Sequence, residues 1–234
     1  MIEVGTVDGA IRHIRICRPE KRNALGVEQY VQLATALDDA HDAAVVVLSS
    51  IGEVFCAGND LAEFATEWPQ PRNGPVVRFL TALSRVAAPV IAAVQGPAVG
   101  IGATMLLHCD MIVAAQRATL RYPFVTLGIA PEGASSHILP QRLGRQRAMD
   151  LLLSGRAVSA DEALTLGLLT AVVGNDEVMA HTLALAEASA RQPRDAVIAT
   201  KALVTAAGRE GLVDRFEAEI AAINALIEQG RTHA

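Results

Sequence analysis

The sequence is poor in aromatic residues and carries no excess of positive charge. Only 3% of its 234 residues are aromatic, the formal net charge is -5, and the pI is near 5.7. Nucleic-acid-binding surfaces combine clustered cations with aromatic rings that stack on bases. Because both features are scarce, we expect no nucleic-acid partner.

Membrane-spanning segments and secretion signals are also missing. No run of 18 or more apolar residues is free of charges and helix breakers, and residues 1–5 begin neither a basic nor a long apolar segment. Cys17, Cys56 and Cys109 are far apart and lie beside apolar neighbours, with no Cys-x-x-Cys spacing. Such cysteines indicate buried thiols in a reducing compartment, not disulfides or a zinc site. We therefore expect a cytoplasmic protein with no membrane contact and no metal centre.

Apolar residues are what the chain has in quantity. It is 51% hydrophobic and 19% charged, which is enough to bury a sizeable core. Short apolar runs alternate with helical patterns through the first three quarters, and this order predicts an α/β fold. We predict a core over residues 1–175 and a helical region over residues 176–234.

Local signals predict where the elements begin and end. Asp8-Gly9 between two strand-like runs predicts a β-hairpin. Residues 159–162 read as a capping box, which starts a helix. Buried strands are expected at 45–48 and 89–94, further strands at 111–115 and 168–173, and helices at 27–41, 76–87, 103–107 and 146–153. The terminal helices carry one apolar stripe, which packs either on the chain's own core or between subunits: Leu212, Phe216, Ile220, Ile223 and Ile227.

Residues 88–111 are the most informative stretch. A buried strand is followed by Gly96, Gly100 and Gly102 and then by an apolar helix. The first turn of such a helix leaves backbone N–H groups unpaired, and glycine lets a ligand approach them closely. An oxygen that develops negative charge would bind there. The alternative is that these glycines only make a tight turn and allow close packing.

A second junction of the same kind occupies residues 53–61. It also passes from a strand through small residues into a helix, and Asp60 is well placed to cap that helix. Residues 18–25 form a polar loop with three cations, Arg18, Lys21 and Arg22. Without a known ligand, a solvated turn is the simpler interpretation of this loop.

Taken together in this order, the segments resemble the crotonase superfamily, the enoyl-CoA hydratase and isomerase fold. The resemblance implies a spiral of ββα turns, with carboxy-terminal helices that form a homotrimer or a hexamer. The matching segments extend over nearly the whole chain: residues 18–25, 55–61, 92–102, 109–110 and 164–169.

The resemblance also implies an acyl-CoA thioester substrate, with CoA as part of the substrate and no separate cofactor. The thioester oxygen would lie between the backbone amides of Asn59 and Ile101. Lys21 and Arg22 would contact CoA phosphates. The remaining expected contacts come from backbone positions of the two junctions and the basic loop: Ala24, Ala57, Asp60, Leu61 and Gly102.

Three positions decide which chemistry is expected. Hydratases of this family carry two glutamates, and Thr104 and Phe124 occupy those positions here. Glu132 lies in a segment similar to the one that supplies the single glutamate of peroxisomal-type Δ3,Δ2-enoyl-CoA isomerases. One base suffices for an isomerase, because it can take a proton from C2 and return it to C4. Without the resemblance, Glu132 would read as an acid stabilised by a helix start.

Other interpretations stay open at this point. Another crotonase reaction is possible, such as hydration, thioester hydrolysis or dehalogenation, and so is a non-catalytic acyl-CoA-binding protein. His108 and His137 near Ser136 have no nucleophile-elbow spacing. We therefore interpret His108 as a core residue and His137 as a helix-surface residue.

Overall fold

The strands form two sheets in the computed structural model, which describes residues 1–230. The main sheet has the order β1-β2-β3-β4-β6-β9, and a small sheet has the order β5-β7-β8. Within this described range the strands are β1 (Ile2–Val7), β2 (Ile11–Ile16), β3 (Val45–Ser50), β4 (Val90–Val94), β5 (Ala98–Val99), β6 (Met111–Ala115), β7 (Thr119–Arg121), β8 (Ala157–Ser159) and β9 (Ala171–Val173).

Helices follow most of these strands. They are α1 (Val27–Asp38), α2 (Leu61–Glu67), α3 (Pro75–Arg85), α4 (Ile101–Thr104), α5 (Ser135–Leu143), α6 (Arg145–Ser154), α7 (Ala160–Thr165), α8 (Val178–Ala190), α9 (Arg194–Arg209) and α10 (Leu212–Glu228). The last four residues of the predicted helical region, 231–234, lie outside the described residues.

The predicted hairpin is confirmed. Strands β1 and β2 pair antiparallel, and Val7 lies opposite Ile11 across a three-residue loop, Asp8-Gly9-Ala10. Asp8 and Gly9 both have positive φ, as a tight hairpin turn requires. From β2 onward every neighbouring pair in the main sheet is parallel.

A repeated unit builds the rest of the core. In two successive units, β4-β5-α4 and β6-β7-α5, the first strand lies in the main sheet and the second in the small sheet. The unit before them follows the same path, since Cys56 bridges to Ala98 between β3 and α2. Each unit therefore delivers a helix start to the same region, where the site lies.

The sequence prediction misses the small sheet and one helix boundary. Strands β5, β7 and β8 contain only two or three residues, too few for a periodic pattern. The helix expected over 103–107 is present and buried, but it begins at Ile101 and continues as a 3-10 helix over Met105–His108. At the predicted capping box, Ser159 accepts a hydrogen bond from Glu162 N, while the Glu162 carboxylate binds Arg156.

Helices α8 and α10 of the terminal region pack on the chain's own core. Ala186 of α8 lies against Ile11, Val45, Val47 and Ile91 on one face of the main sheet. The apolar stripe of α10 joins the core on the other side through Leu212, Phe216, Ile220 and Ile223. The stripe therefore packs on the chain's own core, which is one of the two arrangements expected from the sequence.

Candidate active site

Two chain segments run side by side into the site. Cys56 pairs in parallel with Ala98, and Val99 N donates to Cys56 O at 2.9 Å. The contact continues toward the helix starts, since a Cβ on Gly100 would lie 3.9 Å from Gly58 Cα. Because Asn59 and Ile101 each follow a paired residue by three positions, both arrive at the same end of the pairing.

The backbone amides at these two positions are unused. Within residues 1–230, neither Asn59 N nor Ile101 N donates a hydrogen bond to another protein group. Both residues are largely shielded from solvent, and buried N–H groups are rarely left without a partner. Two free N–H donors at adjoining helix starts can bind an oxygen that carries partial negative charge.

The first turn of α4 is packed tightly against the neighbouring segment. A Cβ on Gly102 would lie 2.5 Å from Cys56 O and 2.8 Å from Cys56 Cβ. No larger residue fits there without displacing Cys56. Gly102, expected to contact the ligand, therefore lies in the contact that holds the two segments together.

Glu132 lies beside this turn and is nearly inaccessible, with 1% of its surface exposed. Thr104 Oγ1, on the last residue of α4, donates to Glu132 Oε1 at 3.4 Å. Gly133 packs on the same threonine, because a Cβ there would lie 2.7 Å from Thr104 Cβ. Glu132 Oε2 is buried and has no partner among the described residues. One carboxylate oxygen is thus held and the other is available.

The pKa of Glu132 is raised to about 8, mainly by burial and also by the nearby Glu219 carboxylate, while the Thr104 hydrogen bond acts to lower it. An apolar site favours the neutral form of a carboxyl group, and a second negative charge acts in the same direction. Glu132 is therefore a stronger base than an exposed glutamate and exchanges protons near neutral pH.

A cavity of about 330 Å³ opens between the two junctions and the loop before α5. Ala57, Asn59 and Leu61 from the expected ligand contacts line it. Glu132, Ile101 and Gly102 are not among the residues that line it. Most of the remaining lining is apolar: Phe64, Val99, Pro123, Phe124, Leu127 and Ile129.

The Asn59 side chain is anchored from α1. Tyr30 is buried, and its hydroxyl donates a short hydrogen bond to Asn59 Oδ1. Tyr30 and Asn59 both line a second, nearly filled pocket of about 10 Å³. The tyrosine therefore fixes the side chain of a residue that also lines the first cavity.

The basic loop adjoins the cavity through its backbone. Ala57 N donates to Arg22 O at 3.1 Å, and Ala24 is buried behind it. Lys21 is half exposed, with its Nζ 3.6 Å from an oxygen of Asp60. Arg18 binds the same carboxylate at 3.0 Å.

Asp60 also caps α2, as predicted, by accepting from Ala62 N at 3.2 Å. The pKa of Asp60 is lowered: its burial acts to raise it, but the Ala62 hydrogen bond and the charges of Lys21 and Arg18 outweigh that effect.

The histidines are placed much as the sequence suggested. His108 Nε2 bonds to Gly133 O at 2.8 Å, and burial lowers the His108 pKa to about 4. His108 is therefore neutral and holds the loop that carries Glu132. His137 contacts Gln141 on α5 at 3.0 Å. All three cysteines are free thiols, but Cys17 is only half buried, which corrects the prediction for that residue.

Sequence reasoning missed two polar residues of this region, Tyr30 and Glu219. Tyr30 read as one more residue on an apolar helical stripe. Glu219 does carry a signal: it lies three residues after Phe216 and four before Ile223, on the buried face of α10. An acid on an apolar helical face requires a partner, and that signal was available.

The arrangement defines a chemical class. Two free N–H groups can bind a carbonyl oxygen, and a buried acid held by Thr104 of the same helix as Ile101 can move a proton at a neighbouring carbon. A parallel sheet with repeated strand–strand–helix units that meet at such a site is the crotonase architecture.

Comparison with known proteins supports the assignment of this architecture. The sequence profile described as enoyl-CoA hydratase/isomerase matches residues 6–233. The chain belongs to the enoyl-CoA hydratase/isomerase family. It is 33% identical over 218 residues to human enoyl-CoA delta isomerase 2, covering 89% of this chain. It spans only 55% of the length of that human protein.

Solved structures show the same fold. An enoyl-CoA hydratase/isomerase from Pseudoalteromonas atlantica is 37% identical, with a TM-score of 0.91 over 97% of this chain and 91% of that one. An enoyl-CoA hydratase from Mycobacterium avium is 29% identical, with a TM-score of 0.88 over 97% of this chain and 93% of that one. Relatives thus include proteins named for each of the two reactions.

Residues 1–230 contain neither a membrane-spanning helix nor a metal-binding cluster. None of their helices is long and apolar enough to cross a membrane. No group of three or more His, Cys, Asp or Glu side chains comes together there in a way that could hold a metal ion.

Proposed function

We propose that this protein is an enoyl-CoA isomerase that moves a double bond from C3 to C2 of an acyl-CoA thioester. The single observation that carries the proposal is Glu132, a buried acid with a raised pKa, hydrogen-bonded to Thr104 one turn after Ile101. The two positions where family hydratases carry glutamates hold Thr104 and Phe124. One acid meets the needs of an isomerase, whereas hydration calls for two.

The proposed reaction begins with the thioester oxygen between Asn59 N and Ile101 N. Negative charge that develops on this oxygen is stabilised by both donors, and this lowers the pKa of the C2 hydrogens. Glu132 takes a proton from C2, and the electron pair of that C–H bond becomes part of a dienolate. The same carboxyl group then returns the proton to C4, which leaves the double bond between C2 and C3. Loss of one such donor costs about 3 to 4 kcal/mol of barrier.

Burial suits Glu132 to this task. Phe124 and Ile129 are buried lining residues of the cavity, and they would keep water from the dienolate. Thr104 holds one carboxylate oxygen and leaves Oε2 to meet the substrate. A base with a pKa near neutrality both accepts and returns a proton readily.

The CoA part of the substrate is assigned to the basic loop and the cavity rim. Lys21 and Arg22 would bind phosphate groups, and the backbone of Ala24, Ala57, Asp60 and Leu61 would cradle the rest. CoA arrives as part of the substrate, and we propose no separate cofactor. The half exposure of Lys21 supports this role, because its ammonium group lies at the surface beside Asp60.

We further propose that the protein works as a homotrimer or a hexamer. Support comes from α9, none of whose described side chains is fully buried. Leu203 and Val204 on this helix are 80% and 78% exposed. An apolar helix face of this kind favours contact with another protein surface.

Hydration or another thioester reaction is the alternative, since the Mycobacterium avium neighbour is named a hydratase. A non-catalytic acyl-CoA-binding role is the third possibility. A direct assay separates all three. The native protein is expected to convert 3-enoyl-CoA into 2-enoyl-CoA and to hydrate 2-enoyl-CoA much more slowly.

Glu132→Gln keeps the shape of the side chain and removes the base. We expect it to lower isomerase kcat by at least about 10³-fold, within the range for loss of an acid–base residue. Glu53→Gln, at an exposed acid, is the matched control and should keep full activity. Isomerase activity that survives Glu132→Gln would refute the proposal. Binding of CoA esters without turnover would favour the third possibility.

A further inference from the structure

Glu219 lies in the protein interior although it belongs to the carboxy-terminal helix α10. Only 6% of its surface is exposed. Its carboxylate accepts hydrogen bonds from Ala134 N at 2.6 Å, from Ser136 N at 3.1 Å and from Ser136 Oγ. All three donors lie within four residues of Glu132, at the start of α5. Hydrogen bonds to a carboxylate compensate its burial, which would otherwise be costly.

The loop that carries Glu132 needs such an anchor. Gly133 and Ala134 have φ values of +67° and +55°, and for alanine this left-handed conformation is unfavourable by about 1 to 2 kcal/mol. Thr104 and His108 hold the same loop from the other side, through the side chain of Glu132 and the carbonyl of Gly133. Glu219 on α10 adds a third support, through its hydrogen bonds to Ala134 and Ser136.

We propose that Glu219 is the positioning residue of the active site: it fixes the loop that presents Glu132 and places a second carboxylate beside it. This inference rests on the proposed isomerase function for its catalytic meaning. Its structural part, a carboxylate pair linked through the start of α5, stands apart from any reaction.

The charges around the pair favour ionisation of Glu219 before Glu132. The pKa of Glu219 is raised only to about 7, because the hydrogen bonds from Ser136 and Ala134 and the cation of Arg215 oppose the effect of burial. The amide groups at the start of α5 also favour a negative charge there.

Glu132 has no comparable help among the described residues. Tyr30 from α1 and Cys56 from the junction at residues 53–61 face it, and burial raises the pKa of both groups, that of Cys56 to about 12. Both are therefore neutral near pH 7, as is His108 with its pKa of about 4. Thr104 from α4 gives a single long hydrogen bond. The negative charge of Glu219 then makes ionisation of Glu132 harder, and so makes Glu132 a stronger base.

The test replaces Glu219 by glutamine and follows the Glu132 carboxyl carbon by ¹³C NMR, assigned through its absence in Glu132→Gln. Removal of the neighbouring charge should shift the Glu132 titration to lower pH by about one unit. The matched control is Glu217→Gln on the same helix, which removes an equal charge from a half-buried position. It should leave the titration where it is. An unchanged Glu132 titration in folded Glu219→Gln would overturn the inference.

Activity supplies a second measurement. The acid limb of kcat/KM for 3-enoyl-CoA should move with the NMR titration in Glu219→Gln, whereas a purely structural loss would lower the curve at every pH without moving it. Glu219→Asp keeps the charge and shortens the reach, so it should lower kcat at least about fivefold and leave the acid limb in place. An unchanged kcat in Glu219→Asp would contradict the positioning role. If Glu219→Gln does not fold, Glu219→Asp alone tests this role. If native protein shows no isomerase activity, the proposed function fails, while the NMR titration still decides whether the pair is coupled.

Discussion

Cys56 and Ala98 pair in parallel, and this single bridge aligns the two amides on which the proposed chemistry depends. Asn59 and Ile101 each follow the bridge by three residues, and both amides lack an acceptor within the described part of the protein. The proposed convergence of these amides depends on backbone pairing, so we expect the side chains at the two positions to matter less than the packing that holds the segments together.

That packing predicts the effect of a small substitution. Gly102→Ala places a Cβ 2.5 Å from Cys56 O, so one of the two segments has to shift. We expect a loss of about 1 to 3 kcal/mol in the free energy of unfolding, the usual range for overpacking, together with a lower kcat. Urea unfolding at fixed protein concentration measures the first effect. Gly5→Ala has no atom within 4 Å and should unfold like the native protein. Equal stability of the two variants would contradict this packing.

The two tyrosines offer a matched pair. Tyr30 OH donates to Asn59 Oδ1, whereas Tyr122 OH is buried with no partner among the described residues. Tyr30→Phe should lower the free energy of unfolding by about 1 kcal/mol, because it leaves Asn59 Oδ1 without its donor. It should also lower kcat through the displaced Asn59 amide. Tyr122→Phe removes an unsatisfied group and should be neutral or stabilising. Thermal unfolding and steady-state kinetics on both variants measure these effects. A Tyr30→Phe variant that is more stable than Tyr122→Phe would refute the prediction.

Glu132 makes stability depend on pH in a defined direction. Its folded-state pKa of about 8 lies above the ordinary 4.5, so the folded chain binds this proton more tightly than the unfolded chain does. The resulting stability is complete below about pH 4.5 and is lost as the pH rises through about 8.

Glu132→Gln stays neutral and keeps its stability across this window. Its Tm should therefore rise relative to the native Tm between about pH 5 and pH 9, by several degrees, since one pKa unit is about 1.4 kcal/mol and each kcal/mol is about 2 to 4 °C. Calorimetry over this range provides the measurement. A Tm difference that does not grow with pH would show that Glu132 is not buried as described.

Lys21 should act on binding more than on the chemical step. Lys21→Ala is expected to raise KM for an acyl-CoA several-fold and leave kcat nearly unchanged, because a phosphate contact is equal in the ground and transition states. The effect should shrink at high salt, since the group is half exposed. Arg147→Ala, an exposed cation on α6, is the control and should change neither constant. A drop in kcat with unchanged KM would remove Lys21 from the CoA site.

Sequence reasoning reached the parts of this protein that are encoded locally. The Asp8-Gly9 hairpin, the buried strands β3, β4 and β6, and the Asp60 cap each follow from a few neighbouring residues. The small sheet does not, because strands of two or three residues have no periodicity and form only when the larger sheet is in place. The burial of Glu219 could be inferred from its place on an apolar helical face, but its partners could not, since Ser136 and Ala134 are 83 and 85 positions away in the sequence.

The site itself divides in the same way. The glycine junctions and the acid at position 132 could be singled out from sequence. The Tyr30–Asn59 bond and the role of Gly102 in packing on Cys56 could not, because both are contacts between segments that local patterns do not relate.

One measurement tests the central claim most directly: the fate of deuterium placed at C2 of a 3-enoyl-CoA when the native protein acts on it in ordinary water. A single shielded carboxyl group should carry part of the label from C2 to C4, because Glu132 is 1% exposed and exchanges slowly with solvent. We predict label at C4 in the earliest product, and no conversion by Glu132→Gln. Product formed at an undiminished rate by Glu132→Gln, with no label at C4 in the native reaction, would contradict the proposed shuttle.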